Sequence, residues 1–580
     1  MFYRLNEQEI LDLLDKLDQD ELEPGNIVLH LPDEHDRTAS DCDSDNSDEE
    51  SAGDLNKLGP VLMKTTCDFV PHGSYAVSSD TEDEETEQPL AKKNKKNEKK
   101  VIQWTSEEPN FKINKNKLPV SPLPEEVMST DTEYELFRLF IDQNFIDNLV
   151  KQTNMYAVQQ DKILNVNSNE ILVVLGAFML SGYAKYPDKR LYWSKDSDTP
   201  TILCDAIRCR RFEDIIHNMH FNDNTQIDRE DRLYKLRPLL KHLQSKFLVL
   251  NPLDEHLSID ESMIPYYGRH FAKQFIKGKP IRFGYKNWAL CSSNGYMYAF
   301  DVYTGKNKEA SRTELGVGGD VVMNLIKKAK VPCNKGFKVY FDNYFTSFKL
   351  LNKLSSIGIC ATGTIRENRL QNCPLPKKKS FKKSSKWSHK FSTSSSILVV
   401  KYNDKNTVNV ATNFDCSRIT SVKRFSAEKN NNIDIPKPEV IVNYNKYMGG
   451  VDQMDESIAC YRTRMRQKKW WWPIFLYFID ATVVNAWILW KKKTNNKTLK
   501  LLSFRRVLAI TMLKKYGIAP KQGKQAASPV QDIRHDGIHH YLRKCQTRRC
   551  GNCTGKAAFF CTKCDVGLHP RCQEDYHTKK

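Results

Sequence analysis

HLSIDESMIP, residues 256 to 265, decides the fold. Its apolar strand pattern runs out at Asp260, so a carboxylate stands where a buried strand meets solvent. KVYFD (338–342) repeats the pattern with Asp342, and KYMGGVD (446–452) delivers a third aspartate, Asp452. Carboxylates are hard oxygen ligands, and several together can converge on divalent cations. A pair of such cations polarises a phosphodiester and activates a water or a 3′-hydroxyl for in-line attack. A lone aspartate at a strand end is usually a loop cap. Three in one topological order point to a metal site.

Outward from Asp260 the pattern reads β, β, β, α, β, α, β. NWALC and YMYAFDVY flank Asn294-Gly295, a hairpin signal. Gly318-Gly319-Asp320 opens a helix over DVVMNLIKKA, KVYFD is the fourth strand, SFKLLNKLSSIG a second helix and ICATGTIR a fifth strand. A basic, serine-rich stretch, KKKSFKKSSKWSHKFSTSSS, interrupts the pattern before helix resumes near Asn443 and carries Asp452. This order is the ribonuclease-H-like arrangement, in which the first and fourth strands are neighbours and a helix crossing the sheet supplies the third acid.

The fold class is therefore α/β. Its parts are a disordered acidic region (1–130), a helical region (131–255, resuming at 463–530), a catalytic core (256–370 and 441–462), an insertion (371–440) and a cysteine-rich zinc domain (538–580). The helical part begins with ELFRLFIDQNFIDNLVKQTN, where Phe137, Phe140, Ile141, Phe145 and Leu149 fall at helical spacing. In the tail, Leu5, Ile10, Leu13, Leu14 and Leu17 could line a short helix. Two acidic Ser/Thr tracts (40–51 and 78–87) suit an acidophilic kinase, and the lysine run 92–100 suits nuclear import or a polyanion. PIFLYFIDATVVNAWILW (473–490) is nearly long enough to span a bilayer, but Asp480 and Asn485 make a buried core helix the better reading.

A net charge of +18 and a pI near 9.0 suit a polyanionic partner. In CYRTRMRQKKWWWP (460–473), Arg462, Arg464, Arg466, Lys468 and Lys469 precede three tryptophans. Cations neutralise phosphates and indole faces stack on unpaired bases, so these residues and Trp472 are candidate DNA contacts. Of the sixteen cysteines, six fall between Cys545 and Cys572. Cys550 with Cys553, Cys561 with Cys564, and His569 with Cys572 repeat one spacing, and His577 follows. That pattern is a strong zinc signal. Seven ligands need an eighth for two tetrahedral sites, with Cys545 and His539 as rivals to His540. The flank, including Arg543, Lys544, Arg548 and Arg549, favours DNA over a protein partner.

LSIDESMIPYYGR (257–269), KPIRFGYKNWAL (279–290), GYMYAFDVYTGK (295–306), VYFDNYFTS (339–347) and NYNKYMGGVDQMD (443–455) together resemble the piggyBac family of DNA transposases. KQTNMYA (151–157) and GYAKYPDKRLYWS (182–194) resemble its helical domain, which implies a dimerisation and DNA-binding domain over 131–255 and 463–530. The resemblance implies catalytic Asp260, Asp342 and Asp452, a further important acid at Asp455, and Mg²⁺ or Mn²⁺ as cofactor. It implies cleavage at transposon ends through hairpins and joining at TTAA, by a nuclear homodimer acting on double-stranded DNA. The family's tryptophan followed by proline falls on Trp472-Pro473, and its zinc pattern begins with a histidine, which selects His540. The family usually has cysteine where His569 stands. The rival expectation is a domesticated, non-catalytic DNA-binding descendant.

Overall fold

A computed structural model of the chain describes residues 103–111, 118 and 121–578, apart from 195–198, 200, 277–280, 306–312, 395, 427–429, 519–533 and 554, together with three short strands nearer the N-terminus. Those strands, Arg4–Leu5, Gly25–His30 and Thr66–Pro71, form a separate antiparallel sheet with Thr66–Pro71 in the middle. The suggested helix past Leu5, both acidic tracts and the lysine run lie outside the described residues.

Nine strands make the central sheet. In chain order we label β1 (His256–Pro265), β2 (Phe283–Ser292), β3 (Met297–Val302), β4 (Lys338–Phe341) and β5 (Cys360–Thr364). They are followed by β6 (His389–Thr393), β7 (Leu398–Asn403) and β8 (Thr407–Thr412). The first five pair in the order β3-β2-β1-β4-β5, with β1, β4 and β5 parallel and β2 antiparallel to β1. Two-residue Gln274–Phe275 extends the far end of β2.

Two expectations need correction here. The insertion does not stand apart: β8 pairs with β5, and β7 and β6 continue the same sheet. The open edge of β5 presents unpaired backbone groups, and pairing satisfies them. Only Ile419–Ser426 and Asn431–Pro438 form a separate hairpin. Order also begins well before residue 130. Thr105 exchanges both backbone hydrogen bonds with Thr393 at 2.8 Å, Trp104 meets Phe348 edge-on at 5.6 Å, and Val127 is fully buried. These apolar anchors give the segment surface to bury despite its polar surroundings.

The helical frame starts with α1 (Glu133–Phe140) and α2 (Gln143–Gln159). The apolar period runs through both, yet the helix breaks at Ile141 because the Asp142 side chain accepts from the Phe145 amide and starts a new one. α3 (Ser168–Tyr183), α4 (Cys209–Asn218) and α5 (Arg237–Val249) follow. Next come α6 (Gly316–Lys328) and α7 (Phe348–Ser356) within the core, then α8 (Glu439–Tyr447) and α9 (Gly450–Cys460). The frame closes with α10 (Trp472–Thr494) and α11 (Leu501–Tyr516).

α10 is the apolar segment of membrane-like length, and 89% of its most apolar stretch is buried inside the protein. Its two polar interruptions are each satisfied. Asp480 accepts from the Thr463 amide (2.9 Å), the Thr463 hydroxyl (2.8 Å) and Arg505 (2.9 Å). Arg505, 2% exposed, also donates to the Met179 carbonyl on α3. Asn485 exchanges two 2.9 Å bonds with the backbone of Met297 on β3. Buried polar groups are tolerated when so paired, and these bind α3, α10, α11 and the sheet together.

Candidate active site and metal centres

Asp260 does not end its strand. On one edge β1 pairs with β4 only as far as Ile259 opposite Phe341. On the other it continues against β2 until Pro265 meets Gly284. The strand therefore opens on one side at Asp260, and Asp342 follows the last register pair on the neighbouring parallel strand. The two carboxylates leave adjacent strands at the same level. Asp260 accepts from the Glu261 amide and Asp342 from the Tyr344 amide, both at 2.8 Å. Arg369 donates to the carbonyls of Asn343, Tyr344 and Thr346 and fixes the loop after Asp342.

Asp452 arrives on α9, and the Gly-Gly before it explains how. A Cβ at Gly450 would lie 2.2 Å from the Ser292 carbonyl and 2.5 Å from the Ser258 hydroxyl. Only glycine lets the helix start so close to β1 and β2. The hairpin turn at Gly295, φ +91°, passes beneath Gln453 and Met454. Burial chiefly, then the charges of Asp342, Asp260 and Asp452, push the Tyr444 phenol well above its ordinary range. One half-buried ring on α8 thus feels all three carboxylates. Their oxygens do not form one group within 4.8 Å among the described residues. A pair of cations about 3.5–4 Å apart would span more widely spaced ligands.

Asp455 differs from Asp452 despite sharing its helix. It accepts from Ser262 Oγ at 2.6 Å and from Tyr477 Oη at 3.3 Å, and those two hydroxyls are 2.9 Å apart. Burial raises its carboxyl from 3.8 to about 6, against the lowering effect of these bonds and of Arg462. Asp452 is exposed.

The basic and aromatic segment divides. Arg464, Arg466 and Lys468 are exposed and Arg462 is half-buried. Lys469 turns inward: it donates to the His217 carbonyl at 2.5 Å and lies over the rings of Tyr156 and Trp471. Trp472 is not available to a base. It is 1% exposed, its Nε1 donates to the Met465 carbonyl at 2.6 Å, and Phe178 and Phe475 pack around it. The start of a buried helix draws in its aromatic residue, so Trp472 is a core anchor. Trp470 alone of the three is partly exposed, stacked on His270 at 4.3 Å.

The cysteine-rich module converges fully. Among the described residues, His540, Cys561, Cys564 and His577 form one group with ligand atoms all within 4.8 Å. Cys550, Cys553, His569 and Cys572 form another. The pairs alternate along the chain, so the two centres are interleaved. Cys545 and His539 belong to neither. A tetrahedral zinc with bonds of about 2.3 Å holds its sulfurs about 3.8 Å apart, and Cys553 and Cys572 stand at 3.9 Å.

The histidines are oriented for lone-pair donation. His569 Nε2 donates to the Lys556 carbonyl at 2.9 Å, leaving Nδ1 to face Cys553 at 3.4 Å. His540 Nε2 donates to Asp536 at 3.0 Å, and its Nδ1 faces Cys561 at 3.4 Å. His577 Nδ1 donates to the Arg534 carbonyl, and its buried Nε2 has no hydrogen-bond partner. An outer acceptor that fixes the tautomer is what a metal-ligating imidazole requires. Besides its cysteines the module buries only Ala557, Val566, Leu568 and Tyr576 as a core. Arg548 is paired at 2.7 Å with Asp565, while Arg549 is exposed.

Several residues around the aspartates carry no linear signal. Glu261 is held by Lys286 at 2.8 Å, and Lys286 lies over the Tyr344 ring at 4.7 Å. Ser262 and Tyr477 belong to distant segments and meet at Asp455 only in the folded chain.

The sequence matches the family described as Transposase IS4 over residues 132–487. Human PiggyBac transposable element-derived protein 3 is 34% identical over 605 residues, covering 99% of each chain. Human PiggyBac transposable element-derived protein 2 is 31% identical over 587 residues, covering 99% of this chain and 97% of that one. A solved piggyBac transposase synaptic complex with hairpin DNA superposes with a TM-score of 0.61 at 19% identity, over 77% of this chain and 97% of that one. With this coverage joined to the strand order and the paired cysteine-histidine centres, the chain belongs to the piggyBac family of transposases and transposase-derived proteins.

Proposed function

We propose that this protein is a DNA transposase of the piggyBac type. It cuts transposon ends through hairpin intermediates and joins the freed 3′-hydroxyls to TTAA targets. The observation that carries this reading is the β1–β4 register, which sets Asp260 and Asp342 side by side, together with the close approach at Gly450 of the helix that carries Asp452. The β3-β2-β1-β4-β5 order supports a ribonuclease-H-like core.

The donor set is all carboxylate oxygen, which fits Mg²⁺ or Mn²⁺ and suits softer ions poorly. Asp260, Asp342 and Asp452 would hold the ions. When bound, such ions supply charge stabilisation and a lowered pKa for an attacking water or hydroxyl. The chain's own part is positional. β1 and β4 fix two carboxylates at one level, Gly450 brings the third against them, and Arg369 stiffens the loop beyond Asp342. Arg462, Arg464, Arg466 and Lys468 supply phosphate contacts. The sulfur and imidazole donors of residues 540–577 fit two zinc ions, and Arg548 and Arg549 give that module a basic flank toward DNA. We place the active form in the nucleus as a homodimer, one chain per transposon end, with the acidic tail as kinase substrate.

A second reading is favoured by the names of the relatives, which are transposable element-derived proteins. In that reading the chain binds DNA without cutting it. A paired-end donor flanked by TTAA, incubated with the protein and Mg²⁺, separates the two. Excision with integration, lost by about a thousandfold in Asp260→Ala, supports transposition. DNA binding that Asp260→Ala leaves unchanged, with no cleavage by the parent protein, supports the second reading.

A further inference from the structure

We propose that Ser262, Tyr477 and Asp455 form a positioning clamp that sets the helix carrying Asp452 against the strand carrying Asp260, and that Asp455 is not itself a metal ligand. This rests on the transposase reading for its purpose but not for its geometry.

Three elements meet in the clamp. Ser262 lies on β1, two residues beyond Asp260 and on the same face of the strand. Asp455 lies on α9, one helical turn beyond Asp452. Tyr477 comes from α10, the core helix that Asp480 and Asn485 tie to the rest of the protein. Each corner touches the other two: Ser262 to Asp455 at 2.6 Å, Tyr477 to Asp455 at 3.3 Å, and Ser262 to Tyr477 at 2.9 Å.

Burial separates the two aspartates of α9. Asp452 is exposed, whereas Asp455 points inward between β1 and α10. Ser262 has no exposure and Tyr477 is 4% exposed. Two hydroxyl donors face Oδ1 of Asp455, and the Arg462 charge lies close enough to favour its ionised form. A hard-cation ligand must leave oxygens open to the ion and to its waters. Asp455 instead gives Oδ1 to two protein hydroxyls at a half-buried position. One turn along the same helix, Gly450 makes the close approach to β1 and β2, so α9 is pinned at two points. Asp452 lies between them.

Two measurements on the full-length protein test this separately from the functional reading. The first is hydrogen exchange over residues 450–460. Ser262→Ala combined with Tyr477→Phe should raise exchange there about tenfold, with β4 and β5 unchanged. Unaltered exchange in α9 overturns the clamp, whatever the protein's activity. The second is Mn²⁺ affinity. Asp455→Asn keeps a carbonyl oxygen to accept from both hydroxyls, so its affinity should stay within about threefold of the parent, while Asp452→Asn should lose about tenfold or more. Equal losses in the two variants overturn the assignment of Asp455. If the parent protein binds no Mn²⁺, the transposase reading falls, and the exchange measurement still decides the clamp.

Discussion

The aspartates around the β1–β4 pair and the cysteine-rich module both gather metal-ligating side chains, but the fold builds them in opposite ways. Around the β1–β4 pair the acids are placed by a large core: two parallel strands, a glycine contact and a buried helix. In the module the ligands are themselves much of the core, with four cysteines beside only four other residues. In the proposed function, the first uses its fold to arrange a reaction and the second uses its ions to make a fold. The difference teaches where each should be sensitive.

Removing metal should therefore split the molecule. Structural zinc contributes about 10 kcal/mol or more to such modules. A strong chelator, or Cys564→Ser, should unfold residues 534–578 and leave residues 121–516 protected, as read by limited proteolysis. Loss of protection in α10 on chelation would break the comparison.

The core has its own non-metal counterpart, the Asp480–Arg505 pair. Asp480→Ala strands a buried guanidinium and should cost about 3–5 kcal/mol in a denaturant titration. A cost below about 1 kcal/mol would mean that the frame does not depend on this pair.

Asp455 sharpens the contrast through pH. Burial chiefly raises its folded pKa from 3.8 to about 6. Between those values the folded chain keeps a proton that the unfolded chain has released. This group's contribution is therefore fully present below its unfolded pKa and is lost as pH rises through about 6. Asp455→Asn removes that loss. Relative to the parent it should gain about 3 kcal/mol above pH 6 and little below pH 4, measured by chemical denaturation across pH. A constant difference at all pH values would contradict a buried carboxyl.

Gly450→Ala should show the smallest effect on stability, about 1–2 kcal/mol, because α9 can shift to relieve the clash. Its effect on strand cleavage should be larger, since Asp452 moves with the helix. An alanine variant with parental cleavage would remove Gly450 from the account.

Much of this was legible in the sequence. Alternation and turn residues marked all five leading strands, because a strand's period and an Asn-Gly turn are local properties. The ligand pairs were legible because coordination spacing is local too, and His540 does join the group. The buried state of α10 followed from Asp480 and Asn485. What was hidden is non-local. Nothing in HKFST, LVVKYN or TVNVAT says that these strands will extend the central sheet. Nor does residue type reveal that Trp472 faces Phe178 while Trp470 faces His270. The two aspartates of α9 look alike in GGVDQMD, and only the arrival of Ser262 and Tyr477 distinguishes them.

The central claim is that Asp260, Asp342 and Asp452 act on one shared cation site. Anomalous diffraction from crystals soaked in Mn²⁺ tests it most directly. The account predicts a manganese peak between the carboxylates of Asp260 and Asp342, with Asp452 in its coordination sphere, absent in Asp260→Ala. Manganese found only elsewhere, or bound equally in that variant, would contradict it.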